Sequence, residues 1–394
     1  MDKHATTPSQ ALELFSEIGD VTRFEPGGDS PHDEKRDDPT RYQSQSMLEC
    51  ITHLQTPKGP KPVLKTMITT ACERNCHYCP FRAGRSKMKR VTFTPDAIAG
   101  AFDRLYRAKQ VDGLFLSSGI IKGSVTTQDK LLDTVEIVRR KYNYRGYVHL
   151  KIMPGIERAQ LHRAMQIADR VSVNLEAPTQ ARLDALAPMK VFMGELLGML
   201  QLADQIRREN PQQKLASTVT QFVVGAVGDT DLELLSLSEK LYHNLQLSRV
   251  YFSAFNPVSQ TPFENLAAVA PLREHRLYQA SFLLRDYGFG LEDLNFQQEG
   301  GLRQDLDPKR AWAEVNLRET PIDLQTADRE TLLRVPQIGP QSADKIIKGR
   351  SQHRLSDLSQ LKALGIKAPE SLTPYILLDG KRPAQQLELF SDAS

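Results

Sequence analysis

The sequence is short of sulfur, of net charge and of long apolar runs. Four cysteines in 394 residues are too few to staple a chain of this size, which excludes a disulfide-framework protein. A formal net charge of only +3 excludes a global basic field, so any nucleic-acid contact has to be local. No stretch approaches the ~18 apolar residues of a membrane span. The opening MDKHATTPSQALELF has no continuous apolar core of an export signal, so the expectation is a cytoplasmic chain with no membrane association. What is present is ordinary for a globular protein, with 40% hydrophobic and 25% charged residues. The length predicts two or three folded units.

The N-terminal segment, residues 1–46, predicts a short helix over Ser9–Phe15, then a polar loop or disordered stretch over Gly27–Ser46. From Pro62 an alternation of strands and helices begins. Strands are expected at Val63–Thr69, Gly113–Ser117, Gly146–Lys151, Arg170–Leu175, Ser217–Val224 and Arg249–Ala254. Helices are expected between them, the first opened by Thr94 as N-cap with Pro95 behind it. Six strand–helix units in a row imply a parallel sheet with right-handed crossovers, a partial (β/α)6 TIM-like barrel over residues 47–300. A connector follows at 301–320, with a helix start at Asp307-Pro308. Residues 321–380 read as short helices split by Gly/Pro turns, a small all-α domain without strands, and 381–394 as a tail.

Three of the four cysteines fall within one stretch, Cys72-Glu-Arg-Asn-Cys76-His-Tyr-Cys79-Pro, directly after the first strand. Thiolates so spaced suit an iron–sulfur cluster or zinc. A cubane held by three cysteines keeps one iron open to a substrate's amine and carboxylate. Zinc needs a fourth ligand, Cys50 or His77. Cys50 otherwise reads as a small buried apolar residue, and His77 as a loop residue.

In parallel β/α barrels function collects at the C-terminal strand ends, and unusual polar residues fall there. Ser117-Ser118-Gly119 follows the second strand. His149 and Lys151 share a face at the end of the third. Asn174 and Glu176, two apart, share a face after the fourth. Gln221 and Asn256 lie near later strand ends, and Gly225 opens a glycine-rich turn that lets another backbone or a base approach. His149, Lys151, Gln221 and Asn256 are candidate substrate contacts, or else satisfied rim residues.

The cysteine spacing, with aromatic Tyr78 before the third cysteine, resembles that of the radical S-adenosylmethionine superfamily. GLFLSSG, HLKIMPG, SVNLEAPT, LDALAP, QFVVGAVGDTD and YFSAFNPV further resemble one family within it, DNA modification/repair radical S-adenosylmethionine proteins often encoded beside a uracil-DNA glycosylase-like protein. The resemblance implies a [4Fe-4S] cluster on Cys72, Cys76 and Cys79, with Tyr78 beside it. It implies S-adenosylmethionine as second cofactor and an external electron donor. Ser117, Ser118 and Gly119 stand where the family contacts the methionine amino group, although Ser-Ser-Gly departs from its usual glycines and acid. Asn174 and Glu176 stand where it holds ribose, and Gly225 near adenine.

Leu332-Leu-Arg-Val-Pro336-Gln337-Ile338-Gly339-Pro340 resembles a helix-hairpin-helix, with helices at Thr326–Arg334 and Pro340–Lys348. Such a hairpin aims backbone N–H groups of Ile338 and Gly339 at a DNA phosphate, and Lys345, Lys348 and Arg350 add charge. Gln337 stands where the motif has glycine, so a positive φ there is strained. Leu361–Ile366 resembles a degenerate second copy. Arg82, Arg85, Lys87, Lys89 and Arg90 form a basic run past the cysteines, read as a solvated loop or a backbone contact to nucleic acid. In the tail, Gln386-Leu387-Glu388-Leu389-Phe390 resembles a sliding-clamp-binding peptide, and Gln10–Phe15 is a similar string. Three functions compete: an enzyme making a 5′-deoxyadenosyl radical that attacks nucleic acid, the same enzyme acting on RNA or a small molecule, and a DNA-tethered iron–sulfur sensor without turnover.

Overall fold

A computed structural model describes residues 3–22, 50–56, 59–85 and 90–383. The polar stretch at 27–46, Lys87, Lys89 and the 386–390 peptide lie outside the described residues. The chain divides into two compact units, Met1–His275 and Arg276–Ser394, against an expected barrel boundary at 300.

The first unit runs β1 (Lys3–Ala5), α1 (Pro8–Thr22), β2 (Ile51–Thr56), β3 (Gly59–Met67), β4 (Val91–Phe93), α2 (Pro95–Arg107), β5 (Gly113–Ser117), α3 (Ser124–Arg140), β6 (Tyr147–Lys151), α4 (Arg158–Ile167), β7 (Arg170–Ser172), α5 (Gln180–Leu186), α6 (Gly198–Glu209), β8 (Ser217–Val224), α7 (Asp231–Leu245) and β9 (Arg249–Ala254). Seven strands form one sheet in the order β2-β3-β5-β6-β7-β8-β9. β3 and β5 through β9 are mutually parallel, and each pairs with the next in sequence. Successive right-handed crossovers of that kind wind in one direction and put every helix on one face. The helices accordingly pack as a layer, α2 on α3, α3 on α4, α4 on α6 and α6 on α7. This is the expected partial (β/α)6 barrel.

Local chemistry sets the boundaries. Thr94 accepts from Ala97 N at 3.3 Å and Pro95 fills the first helical position, the start signal the sequence carries. β7 ends at Ser172, short of Leu175, because the Thr220 hydroxyl takes over the backbone groups beyond it, accepting from Leu175 N at 3.1 Å and donating to Val173 O at 2.7 Å, while Glu176, at φ +66°, keeps an isolated bridge to Phe222. Some parts go beyond the expectation. Antiparallel β2 extends the sheet beyond β3. Helix α1 is longer than Ser9–Phe15 and belongs to the barrel, with Ala11 and Phe15 fully buried and the Phe15 ring 5.5 Å from Phe93. Between α5 and α6 the chain makes a π-turn at Phe192–Leu197.

The second unit begins within α8 (Pro271–Asp286) and continues with α9 (Pro308–Asn316), β10 (Ile322–Asp323), α10 (Arg329–Leu332), α11 (Pro340–Arg350), α12 (Leu358–Ala363) and β11 (Ile376–Leu377). Its core gathers Leu324, Leu332, Ile338, Ile346, Leu361 and Leu372. Asp307 caps α9 through Arg310 N at 2.9 Å, as its Asp-Pro signal requires. The expectation of no strands is corrected, since β10 and β11 pair in parallel over two residues and bring the two ends of the 321–380 stretch together. The first hairpin helix is only Arg329–Leu332, because Asp328 caps it late, through Thr331 N at 2.7 Å.

Lys309 lies in this core. Its ammonium donates to Ile338 O at 2.6 Å and sits 4.8 Å from the Tyr287 ring centre. Burial pushes its pKa down to about 7, with Asp307 opposing. In the unfolded chain a lysine titrates near ~10.4. Between those values the unfolded state holds more protons, so stability rises with pH from 7 toward 10. Trp312, the only tryptophan, lies one turn along α9 and reports this unit alone. The Trp312 fluorescence melt should therefore shift upward between pH 7 and pH 9, and Lys309→Met should abolish the shift. An equal shift in both proteins would remove Lys309 as its cause.

Candidate active site

The cysteine loop leaves the sheet after β3, and its backbone has no ladder to satisfy it. Arginines supply the donors instead. Arg82 donates to Cys76 O at 3.2 Å and Asn75 O at 3.3 Å. Arg85 donates to Pro80 O at 2.9 Å and Ser259 O at 3.0 Å. Arg90 donates to the carbonyls of Thr70, Phe81 and Arg82. The described part of the basic run is thus turned inward as a clamp on the loop. This corrects its reading as a solvated or phosphate-binding stretch. His77 also points away from the thiols, with Nδ1 2.9 Å from Ala185 O and its own N–H on Leu186 O. Cys50 is fully buried and donates to Phe15 O at 3.0 Å. Neither joins Cys72, Cys76 and Cys79.

The loop after β5 closes on the cysteines from the other side. Gly119 N donates to Thr69 O and Glu73 N to Ile120 O, both at 2.8 Å, while Ile120 N lies 3.4 Å from Cys72 Sγ. A Cβ on residue 119 would stand 2.0 Å from Ala71 O and 3.2 Å from Cys72 Cβ, so only glycine permits the approach. Ser118 Oγ donates to Gly119 O at 2.6 Å, and Ser117 Oγ is buried without a partner.

Glu176 connects the fourth strand to this loop. Its Oε1 lies 2.8 Å from Lys190 Nζ, and the Tyr78 hydroxyl donates to its carboxylate. Burial alone would raise the Glu176 pKa, but Lys190, Lys151 and Tyr78 together hold it below the usual carboxylate value. Burial pushes Tyr78 well up, reinforced by Glu176, Cys76 and Cys79. Burial also raises the Cys76 thiol, opposed by Lys190. Lys190 was not singled out from the sequence. It stands two residues past the LDALAP string, on a surface-rich loop with no pattern to mark it. The left-handed backbone at Glu176, costly for a long side chain, is what turns its carboxylate toward the cysteine loop.

The remaining strand-end residues separate. Asn174, also buried, gives its amide to Gln221 Oε1 at 3.1 Å. His149 is buried with Nε2 unpartnered, and Lys151 is half-buried beside it on the same face. Asn256 is exposed beyond β9. Gly225, with φ +85°, hands its N–H to Asp229, at 2.9 and 3.0 Å to the two carboxylate oxygens, and Val269 and Arg273 fill the space a Cβ would take.

Among the described residues no three His, Cys, Asp or Glu side chains are grouped to hold a metal ion. The donor set fits a polynuclear cluster with a second ligand beside it: three thiols on one clamped loop, and buried polar atoms left unmet at Asn75 Oδ1, Ser117 Oγ and Glu176 Oε2.

In the second unit Gly339 caps α11, Lys345 and Lys348 are exposed on that helix, and Ile338 is buried. Arg350 donates from Nη1 to Leu324 O at 2.9 Å and Ala327 O at 2.6 Å. Gln337 does take φ +60°, and Gly365, its counterpart in the second copy, takes φ +92°. The Gln10–Phe15 string is part of α1 with Ala11, Leu14 and Phe15 buried, so it is core and not a docking peptide.

No protein-family model matches the chain, and no curated protein does. Among solved structures it is similar to the FeFe-hydrogenase maturase HydG from Carboxydothermus hydrogenoformans, at 14% identity and TM-score 0.46, over 56% of this chain and 50% of that one. It is similar to methylornithine synthase PylB at 18% identity and TM-score 0.45, over 56% of this chain and 60% of that one. A third is the cobalamin-dependent S-adenosylmethionine radical enzyme OxsB, at 12% identity and TM-score 0.37, over 73% of this chain and 45% of that one. The match thus spans roughly half the length of these proteins. At such scores the likenesses are slight, and the partial barrel stands on its own strand order and register.

Proposed function

We propose that this chain is a radical S-adenosylmethionine iron–sulfur enzyme acting on nucleic acid. The observation that carries it is the clamped loop of Cys72, Cys76 and Cys79 at the end of the first parallel strand, beside the Tyr78–Glu176–Lys190 network built on the buried Glu176. Cys72, Cys76 and Cys79 would hold a [4Fe-4S] cluster, which with S-adenosylmethionine supplies one-electron chemistry ending in hydrogen abstraction from a carbon. Glu176 Oε2 and Ser117 Oγ, unmet in the chain itself, would bind the cofactor's polar groups. An external donor would supply the electron. The test is anaerobic reconstitution with iron and sulfide, then incubation with S-adenosylmethionine and a reductant. 5′-Deoxyadenosine is the expected product; protein that carries zinc, or makes none, overturns the reading.

The nucleic-acid target is supported by the hairpin turns at Gln337-Ile338 and Gly365-Ile366, by the exposed Lys345 and Lys348, and by the resemblance to the DNA modification/repair family. The sliding clamp and a glycosylase-like protein belong to the same proposal as partners. Charge-assisted phosphate contacts release counterions. Lys345→Ala with Lys348→Ala should lower the salt slope of duplex binding by about two, uniformly across sequences. An unchanged slope would place the DNA contact elsewhere.

A further inference from the structure

The second unit leaves an apolar hollow on its own surface. The cavity, about 530 Å3 and so the size of a ligand pocket, has Tyr287, Trp312, Leu317 and Ile322 in its wall. Tyr287, Trp312 and Ile322 pack against the unit's core and remain only half-buried. Trp312 has spent its N–H on Asp293 Oδ1 at 3.2 Å, so its ring offers the hollow an apolar surface. The polar part of the wall includes Asp328, Glu330 and Arg334. Arg334 is already paired with Asp293 at 2.8 Å. The two carboxylates repel a phosphate, which turns the hollow away from nucleic acid and toward apolar side chains.

The chain itself comes out beside this hollow. After β11, Asp379 and Gly380 take φ +50° and +76°, two left-handed residues in succession, which is how a tight turn reverses a strand. Leu378 and Lys381 exchange both backbone hydrogen bonds across that turn, at 2.8 and 3.1 Å. Gly380 N donates to Asp323 Oδ2 at 3.0 Å, next in sequence to Ile322 of the wall. Arg382 then donates to Arg318 O at 2.8 Å. Arg318 directly follows Leu317 of the wall, and Thr320, two residues on, lines the hollow as well. The described residues stop at Pro383, so the chain is fixed next to the hollow where residues 384–394 begin. Within them, Gln386-Leu387-Glu388-Leu389-Phe390 carries three large apolar side chains. At ~3.3–3.6 Å per residue, Leu387 reaches up to ~17 Å from Arg382 and Phe390 up to ~28 Å, ample for a wall that starts beside Arg318.

We infer that the hollow walled by Tyr287, Trp312, Leu317 and Ile322 is the seat of this chain's own 386–390 segment, with Leu387, Leu389 and Phe390 as its anchors. Seating them covers apolar surface on both sides. Attachment at Pro383 makes the binding intramolecular. At an effective concentration on the order of 1 mM, a segment that binds in trans with a Kd of about 0.1 mM is seated in roughly nine molecules of ten. The inference goes beyond the proposed reaction and does not rest on it. Its consequence is for partners, because a sliding clamp has to take the segment from this seat before it can hold it.

The test follows the emission of Trp312, the only tryptophan, in the full-length protein at one pH. The parent is compared with a full-length variant carrying Leu387→Ser, Leu389→Ser and Phe390→Ser. The variant should emit at longer wavelength and be quenched by acrylamide about twofold more strongly, as a ring uncovered to water is. A synthetic peptide of residues 384–394 should return the variant to the parent's emission, half-saturating near ~0.1 mM. The same peptide with the three substitutions should not. Thr320→Arg, at an exposed position of the wall, should raise the peptide concentration needed by about tenfold with unaltered circular dichroism. Equal emission and quenching of parent and variant, or no response to peptide at ~1 mM, would overturn the seat. A parent emission that changes on dilution overturns seating within one chain and gives the segment to a second copy. An oligodeoxynucleotide that shifts Trp312 of the variant where the peptide does not overturns it too, and gives the hollow to nucleic acid.

Discussion

Gly119→Ala is expected to strip the protein of iron as completely as Cys76→Ala, although it removes no ligand. The new methyl would stand 2.0 Å from the carbonyl oxygen and 2.8 Å from the carbonyl carbon of Ala71. Both are backbone atoms, so no side-chain rotation relieves the clash. The strain, about 1–3 kcal/mol for overpacking, falls on the contacts that seat the cysteines: Gly119 N on Thr69 O, Glu73 N on Ile120 O, and Ile120 N at Cys72 Sγ. The ladder of β5 ends at Ser117 and lies outside the clash, so the barrel should keep its far-ultraviolet dichroism. After anaerobic reconstitution, iron, sulfide and the visible absorption of a cluster should fall to the level of the Cys76 variant. Ser118→Ala, which loses only a hydrogen bond to Gly119 O, should load normally. A fully loaded Gly119→Ala protein would mean that this clasp does not seat the thiols.

The sequence is legible where one physical signal dominates. Strands β5, β8 and β9 begin and end where expected, because each is a short apolar run between turn residues. Thr94-Pro95 and Asp307-Pro308 start their helices because capping is local. The same-face reading of His149 and Lys151 holds because alternation is a backbone property. Glu176 takes a left-handed φ of +66°, and no neighbour in sequence announces that. Gly225 shows the opposite limit. Its glycine is needed, but the atoms that need the space belong to Val269 and Arg273, more than forty residues on. The arginine clamp was hidden in the same way. Five basic residues in a short stretch look like a surface, and only the ladderless cysteine loop explains why Arg82, Arg85 and Arg90 turn inward. Gln337 stands where glycine would be free of strain and takes φ +60°, because a tight hairpin fixes φ whatever residue occupies it.

Lys190→Met should destabilise the barrel more than the double variant Lys190→Met with Glu176→Gln. The pair is nearly dry, with side-chain exposures of 12% and 4%, and its 2.8 Å contact is the main compensation for burying the Glu176 charge. Removing the cation alone strands a carboxylate whose Oε2 already lacks a partner, a cost of about 3–5 kcal/mol for a broken buried pair. Removing both charges leaves an amide that Tyr78 still reaches, at a much smaller cost. The pH dependence fixes the cause. In the parent protein Glu176 titrates below its ordinary value, so its contribution is present above that value and lost as pH falls through the folded pKa. In Lys190→Met burial is no longer opposed by the ammonium, and the folded pKa rises above the unfolded one. The penalty is then largest at high pH and shrinks as acid protonates the carboxyl. Thermal melts of the parent, both single variants and the double at pH 6 and pH 8 measure the coupling directly. If the single and double lysine variants melt together at both pH values, Lys190 does not neutralise Glu176, and the network beside the cysteines loses its charge balance.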